Sequence, residues 1–442
     1  MRRSITEYGA VPGTGAKCTE QIQRAIDECA KEGGGTVVIP AGVFLSGSVR
    51  LRSGVELHLE HGAVLRASHD ENDMIDFSRD IEDDNEDTGW EGGCFLYACH
   101  EKDIAITGTG VIDGGGRESF YDDDPEEAPH EGPLNVRGFR PRMSFLEDVE
   151  NLTVTDVTFY DSAFWTLHMA GCTNVRIENV SIDNDRRAPN TDGIDPDCCK
   201  NVIIRGCRIK SGDDCIVIKT TGPMYRKYGE SRDILVSGCI LTTSCTAVKI
   251  GTETCGDIHD VLVSDCIVRD CIRGIGIWSR DGGDIYAVRV HHVQGNTRNF
   301  ADCASRKDGI FSWWGEGEPV FLSTARRADS PRIPGRIFDI TMDHLDFISE
   351  SPIVIAGEEY SVIRKVRITD SRFVFRRQSG KRELVMDERP SVRGRYLMAS
   401  GPVYLRCAED VIVDAETVIC GSMAELMTDT APDTCFQQTE SR

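Results

Sequence analysis

The chain has no stretch that would cross a bilayer as a helix, since no apolar run approaches the roughly 18 residues this requires. Its opening MRRSITEYGAVPGTG carries two arginines but neither an apolar core nor a small-residue cleavage site. No secretory signal is read there, and a cytoplasmic location is expected. Basic charge is scarce: Lys and Arg number 50 against 73 Asp and Glu, a formal charge of −23, so nucleic acid and anionic membrane surfaces are poor partners. The 18 cysteines include Cys198-Cys199, Cys207 and Cys215, yet C-x2-C-like metal spacing is missing, so no metal is expected and the thiols read as reduced. No cofactor is implied either. With 40% hydrophobic residues, disorder is excluded and a sizeable core is available.

What is present is a repeat. A polar residue followed by alternating apolar positions recurs as DIAITGTGVI from Asp103, NLTVTDVTF from Asn151, NVRIENVSI from Asn174, NVIIRGCRI from Asn201 and DILVSGCIL from Asp233. It continues from Asp260, Ala287, Asp339, Lys365 and Asp410. Starts at 151, 174 and 201, at 233, 260 and 287, and at 339 and 365 are 23 to 27 residues apart. Each unit is a short strand of period two, a turn residue and a second short strand. Such a unit cannot close a core alone but can when stacked on its copies. Leucine-rich repeats want fixed Leu and a helical segment per unit, and propeller blades want about 40 residues, so a parallel β-helix is predicted. In that register Val157, Val180, Cys207, Cys239 and Cys266 form one inward stack, with Cys acting as a small hydrophobe.

Residues 19–32 place Ile22, Ala25, Ile26 and Cys29 on one face of an amphipathic helix ended by Gly33 to Gly35. A solenoid end exposes core and strand edges, so this helix is expected to cap it. The chain is thus read as one all-β domain, residues 1–442. It has a cap and first coils over 1–70, further coils over 71–442, and insertions near 114–140 and 300–335. The acidic run Glu82, Asp83, Asp84, Asn85, Glu86, Asp87 reads as a solvated loop, with calcium binding a lesser option. Trp313 and Trp314 lie in a non-repeating stretch, where they either stack a sugar or anchor a loop.

The segment NTDGIDPDCCKNVIIRGCRIKSGDDCIVIK, residues 190–219, carries the chemistry. Asp192 lies 21 and 22 residues before Asp213 and Asp214, close to one coil, with Asp195 and Asp197 close behind. Residues one coil apart stack about 4.8 Å apart in a β-helix. Carboxylates so crowded cannot all ionise freely, which supplies a protonated acid beside an ionised base, as glycosidic cleavage requires. Turn formation alone also explains Asn-Thr-Asp-Gly. A calcium site of the kind polysaccharide lyases use is another reading of stacked aspartates.

On these residues the chain resembles glycoside hydrolase family 28, the polygalacturonase-like family of right-handed parallel β-helices with the pectin lyase-like solenoid fold. AFWTLHMAGCTNVRIENVSIDN (163–184) is similar to the segment before that family's active site. NTDGIDPD is similar to its Asn-Thr-Asp motif and SGDDCIVIK to its Asp-Asp motif. YGAVPGTG onward to HGAVL (8–65) resembles the family's opening segment. The resemblance implies an inverting hydrolase in which Asp213 protonates the leaving oxygen while Asp192 and Asp214 activate water.

Two motifs depart. The family's Gly-His-Gly is replaced by Cys245-Thr246-Ala247 before KIGTE, and its Arg-Ile-Lys by Gly276-Ile277-Trp278. Losing two cations removes charge-assisted bonds of about 1.5–3 kcal/mol each to an anionic sugar. A pectin-derived oligosaccharide with a neutral or deoxy sugar at the cleaved position is therefore expected, with Trp278 offering an apolar face. Asn190, His168, Lys249, Glu253 and Arg280 complete the expected substrate-binding set, with a buried, satisfied histidine an equal reading for His168. The alternatives are a true polygalacturonase using Lys249 and Arg280 as replacement cations, a calcium-dependent lyase, or a non-catalytic carbohydrate-binding β-helix. The insertions near 114–140 and 300–335 are expected to close one groove end and give exo action.

Overall fold

The computed structural model describes residues 1–77, 92–123, 131–301, 303 and 312–427. The acidic run from Glu82 to Asp87 lies outside the described residues, as do parts of both insertions. Period-two alternation has one structural outlet here. Thirty-three strands join a single sheet that winds on itself, and nearly every pairing between successive coils is parallel. One coil runs Ile194–Asp197, Lys200–Arg205 and Arg208–Ser211 before Ile216–Thr220 begins the next on top of the first. The fold is a parallel β-helix.

The polar residues that open each repeat turn out to be its corners. Asn151, Asn174, Asn201, Asp233, Asp260, Asp339 and Asp410 all have φ between 52° and 60°, the left-handed region that Asn and Asp tolerate best. Their side chains also join coil to coil. Asn201 Nδ2 donates to Asn174 Oδ1 at 2.7 Å, and Asn174 Nδ2 donates to Asn151 Oδ1 at 3.0 Å. Inside, Val157, Val180, Cys207, Cys239 and Cys266 are all buried in the central stack, as their register predicts. Each buried aliphatic side chain of such a stack contributes about 1.5–3 kcal/mol. At the first coils, helix α1 (Thr19–Lys31) buries Ile22, Ala25, Ile26 and Cys29 against the same core.

One face of the solenoid matters for function. Its strands, in chain order, are β1 (Leu167–Ala170), β2 (Ile194–Asp197), β3 (Ile216–Thr220), β4 (Thr246–Thr254), β5 (Arg273–Trp278), β6 (Val320–Ser323) and β7 (Ile353–Ala356). A hairpin of β8 (Val385–Asp387) and β9 (Arg395–Leu397) leaves the helix before β10 (Val403–Arg406) rejoins it. Leu167, Ile194, Ile216, Val248 and Ile275 point into the core. The alternate positions point outward, and the register places His168 beside Asp195, Asp197 beside Lys219, Val217 beside Lys249 and Lys249 beside Gly276. This outward face is covered on both flanks. Phe77, Met224 and Tyr228 lie over Phe145, Ala170 and Cys198, while Met386, Tyr396 and Met398 lie over Trp278, Phe321 and Val354. The rungs of β2 to β4 lie between.

Candidate active site

The turns leading into β2 and β3 stack on each other. Gly193 N donates to Asp214 O at 2.9 Å, Gly212 N to Thr191 Oγ1 at 3.1 Å, and Asn190 N to Asp213 Oδ2 at 3.2 Å. Gly212 allows this approach, because a Cβ there would meet Ala188 O at 2.1 Å. Asp192, Asp213 and Asp214 therefore share one spot on the outward face, as the one-coil spacing predicts.

Two lysines thread the cluster. Lys249 Nζ is 2.7 Å from Asp214 Oδ2, whose other oxygen accepts Thr246 N–H at 2.8 Å. Lys219 Nζ lies 3.0 Å from Asp195 Oδ1, 3.6 Å from Asp192 Oδ2 and 3.9 Å from Glu253 Oε2, and 3.5 Å over the Trp165 ring. Arg327 closes the far side, 3.1 Å from Glu253 Oε1.

Burial divides the acids. It pushes Asp213 up to about 6, helped by the charge of Asp214 and eased by Lys249. Burial, then the charge of Asp213, raises Asp192 well above the carboxylate range, against the pull of Lys219. Asp195 rises to about 6 through burial, again opposed by Lys219. Glu253 goes the other way: burial would raise it, but Lys219, Arg327 and Lys249 together bring it down to about 2. Burial works against the charge of both lysines too, and their carboxylate neighbours outweigh it and raise them. The arrangement holds a protonated acid within a crowd of carboxylates, which is the requirement for acid–base cleavage of a glycosidic bond.

Of the expected substrate-binding set, Asn190, Lys249 and Glu253 gather here. Three residues do not fit as expected. His168 is fully enclosed against Phe145 and Trp165 with Nε2 3.4 Å from Asp197 Oδ2, and burial lowers it to about 4; it is a framework group with no face for a sugar. Arg280 is also fully buried, its NH1 donating to Ser323 O at 3.2 Å and Ser323 Oγ at 3.1 Å, so it does not reach the carboxylates. Trp278 is 2% exposed. Its indole folds back over Gly276, where a Cβ would meet the ring at 2.1 Å, and packs against Phe321, Arg273 and Lys249. It offers no open face.

Sequence reasoning missed Lys219, Trp165 and Arg327. Strand alternation from Ile216 and Ile218 already turned Lys219 outward, so its signal was there. Arg327 sits in a non-repeating stretch and had none. Trp313 proves to be a loop anchor, its Nε1 donating to Glu131 O at 2.7 Å, while Trp314 is exposed. Asp213, Asp214 and Cys245 bring ligand atoms within 4.8 Å of one another, but Lys249 and Thr246 N–H already occupy Asp214, which suits an ion pair better than a metal.

Coil-stacked aspartates on an outward face of a parallel β-helix mark the chain as a β-helix of carbohydrate-active type, and its sequence says which family. The chain belongs to glycosyl hydrolases family 28, whose sequence pattern matches residues 29–299. It is 31% identical over 265 residues to a probable polygalacturonase of Vitis vinifera, covering 58% of this chain and 52% of that protein. It is 30% identical over 246 residues to an endo-polygalacturonase of Pectobacterium carotovorum subsp. carotovorum, covering 54% of this chain and 59% of that protein. The matched stretch thus spans about half the length of these curated relatives. In fold it is similar to an exopolygalacturonase from Thermotoga maritima, with a TM-score of 0.65 at 22% identity over 95% of this chain and 92% of that one.

Proposed function

We propose that the protein hydrolyses O-glycosidic bonds of pectic oligosaccharides with inversion. Asp213 is the general acid, and Asp192 and Asp214 activate the attacking water. The observation that carries this is the stacking of Asp192 under Asp213 and Asp214, with Asp213 pushed up to about 6. An acid with that affinity holds its proton in the mildly acidic range and releases it readily to a leaving oxygen.

The sugar at the cleaved bond is proposed to be galacturonate rather than a neutral or deoxy sugar. The neutral reading rested on the two lost cations, with an open face of Trp278 to receive the sugar, and that face is covered. Lys249 stands one rung before the lost Arg-Ile-Lys position with its side chain 19% exposed, enough for a substrate carboxylate to reach the ammonium. The relatives, polygalacturonases by name, point the same way. The covered flanks limit the trough to a few rungs, which favours attack near a chain end. Met386, Tyr396 and Met398 of the hairpin cover one flank, and Arg327 from the 300–335 insertion borders the acids beside it.

Initial rates on galacturonate oligomers and on rhamnose-capped oligomers test the sugar. The account expects the uronate substrate to be faster, and preference for the neutral one overturns it. A lyase is disfavoured by Lys219 and Lys249, which take carboxylate oxygens that a calcium ion would need. Loss of activity in EDTA with an ultraviolet-absorbing product would restore that reading.

A further inference from the structure

Lys219 has no part in the chemistry assigned above, although it lies at its centre. Its side chain is 4% exposed, too enclosed for a sugar to reach. Its ammonium faces carboxylates from neighbouring coils: Asp192 at 3.6 Å and Asp195 at 3.0 Å from the coil before, and Glu253 at 3.9 Å from the coil after. We propose that Lys219 is a positioning residue, whose fixed charge weakens the hold of Asp192 on its proton so that it can serve as the water-activating base, and holds Asp195 aligned beside it. This rests on the hydrolase reading above.

Asp192 needs such a partner. It is 3% exposed, and its Oδ1 has no hydrogen-bond partner among the described residues. Burial and the charge of Asp213 both favour its neutral form, and Asp195 and Asp214 add to this. The ammonium of Lys219 opposes all four. The remaining charged or titratable neighbours are already committed. Lys249 holds Asp214, Arg327 holds Glu253 and Asp281, and Asp197 accepts Thr221 N at 2.8 Å and Thr221 Oγ1 at 2.6 Å. His168 lies against Asp197, and the charge of Arg142 acts on Asp195. Trp165, beneath the ammonium, supplies a ring face in place of water, which both fixes its position and keeps it dehydrated.

An opposite charge at this range lowers a carboxylate by about 1–3 pH units. Lys219→Met should therefore move the acid limb of kcat/KM up by about 1–3 pH units. Lys219→Arg, which keeps the charge, should leave the limb near its wild-type position. Asp213 gives up its proton near 6, so the raised limb should also narrow the active pH window of the Met variant and lower its peak. Because Lys219→Met strands the charge of Asp195, the double variant Lys219→Met/Asp195→Asn is measured alongside it, with melting temperature as the check on folding. The limb must move there too.

A limb unmoved in both variants overturns the proposal, whether rates stay level or fall equally at every pH. A second readout needs no substrate. Carboxyl carbon NMR of Asp-labelled protein, assigned with Asp192→Asn, should show Asp192 titrating higher in Lys219→Met, and an unchanged titration overturns the proposal by itself. Wild-type protein that cleaves no pectic oligosaccharide would instead sink the hydrolase reading, leaving the titration to decide the role of Lys219.

Discussion

Two regions of the same outward face bury many charges, and they do it differently. Around β5 to β10 most of the buried acids are held by arginines, although Arg280 has no carboxylate bonded to it among the described residues and burial still raises Glu316. Arg273 makes two bonds to Glu318, at 3.1 and 3.3 Å, and a third to Asp387 O at 2.6 Å. Arg406 spans both oxygens of Glu388 at 2.9 Å each and reaches Glu358 at 2.8 Å, while Tyr396 OH adds a 2.9 Å bond to Glu388. Burial raises Asp387 and Glu388, but Arg389 with Arg273 for the first, and Arg406 with Arg280 for the second, outweigh it and both titrate below the usual range. Around β2 to β4 the acids Asp192, Asp195, Asp213, Asp214 and Glu253 outnumber Lys219 and Lys249, and Asp192, Asp195 and Asp213 titrate high. Matched charge holds the hairpin of β8 and β9 on the solenoid. Unmatched charge stores the protons that the reaction moves.

The sharpest way to break this contrast is Asp213→Asn. It should lower kcat by about 10²–10⁴-fold, without a drop in melting temperature, because it relieves crowding instead of breaking a pair. A variant that unfolds would mean the cluster is scaffold after all. In the matched region the outcome should reverse. Arg273→Met leaves Glu318 buried without its cation and should cost about 3–5 kcal/mol in urea unfolding.

The pH dependence of stability separates the regions by sign. Asp213 binds its proton more tightly folded than unfolded. Wild-type stability is therefore intact below the ordinary aspartate range and falls as the pH rises towards about 6. The advantage of Asp213→Asn should be absent near pH 4 and level off above pH 6 at about 1–3 kcal/mol, followed by thermal melts. Glu388 titrates low, so Glu388→Gln should destabilise at neutral pH, with the loss shrinking as the medium becomes more acidic than the ordinary glutamate range. The smallest effects belong to the backbone. Gly276→Ala, pressed against the Trp278 ring, should cost about 1–3 kcal/mol. Asn174→Ala, at φ 57°, should cost about 1–2 kcal/mol.

Most of the β-helix was legible because its two periodicities are written locally. Apolar residues alternate along each strand, and an Asn or Asp that tolerates φ near 55° recurs at most corners, with Ala287 and Lys365 taking the same conformation at two others. The acids were legible for the same reason, since one-coil spacing becomes contact without any knowledge of loops. What alternation cannot tell is whether a distant segment covers an outward side chain. Trp278 faces outward as its register requires, yet Met386 and Tyr396, more than a hundred residues later, lie over it. Arg280 was misread because its partners Ser323 and Glu388 come from later coils. Of the two readings open for His168, the buried one holds, because aromatic neighbours fill the space that a sugar would take.

The most direct test follows the anomeric proton by NMR during hydrolysis of a defined galacturonate oligosaccharide, with wild-type protein and Asp213→Asn. The unmatched-acid account predicts that the first product formed carries the anomeric configuration opposite to that of the cleaved bond, and that the variant releases almost none. A first product of retained configuration, an unsaturated product, or full activity in Asp213→Asn would contradict it.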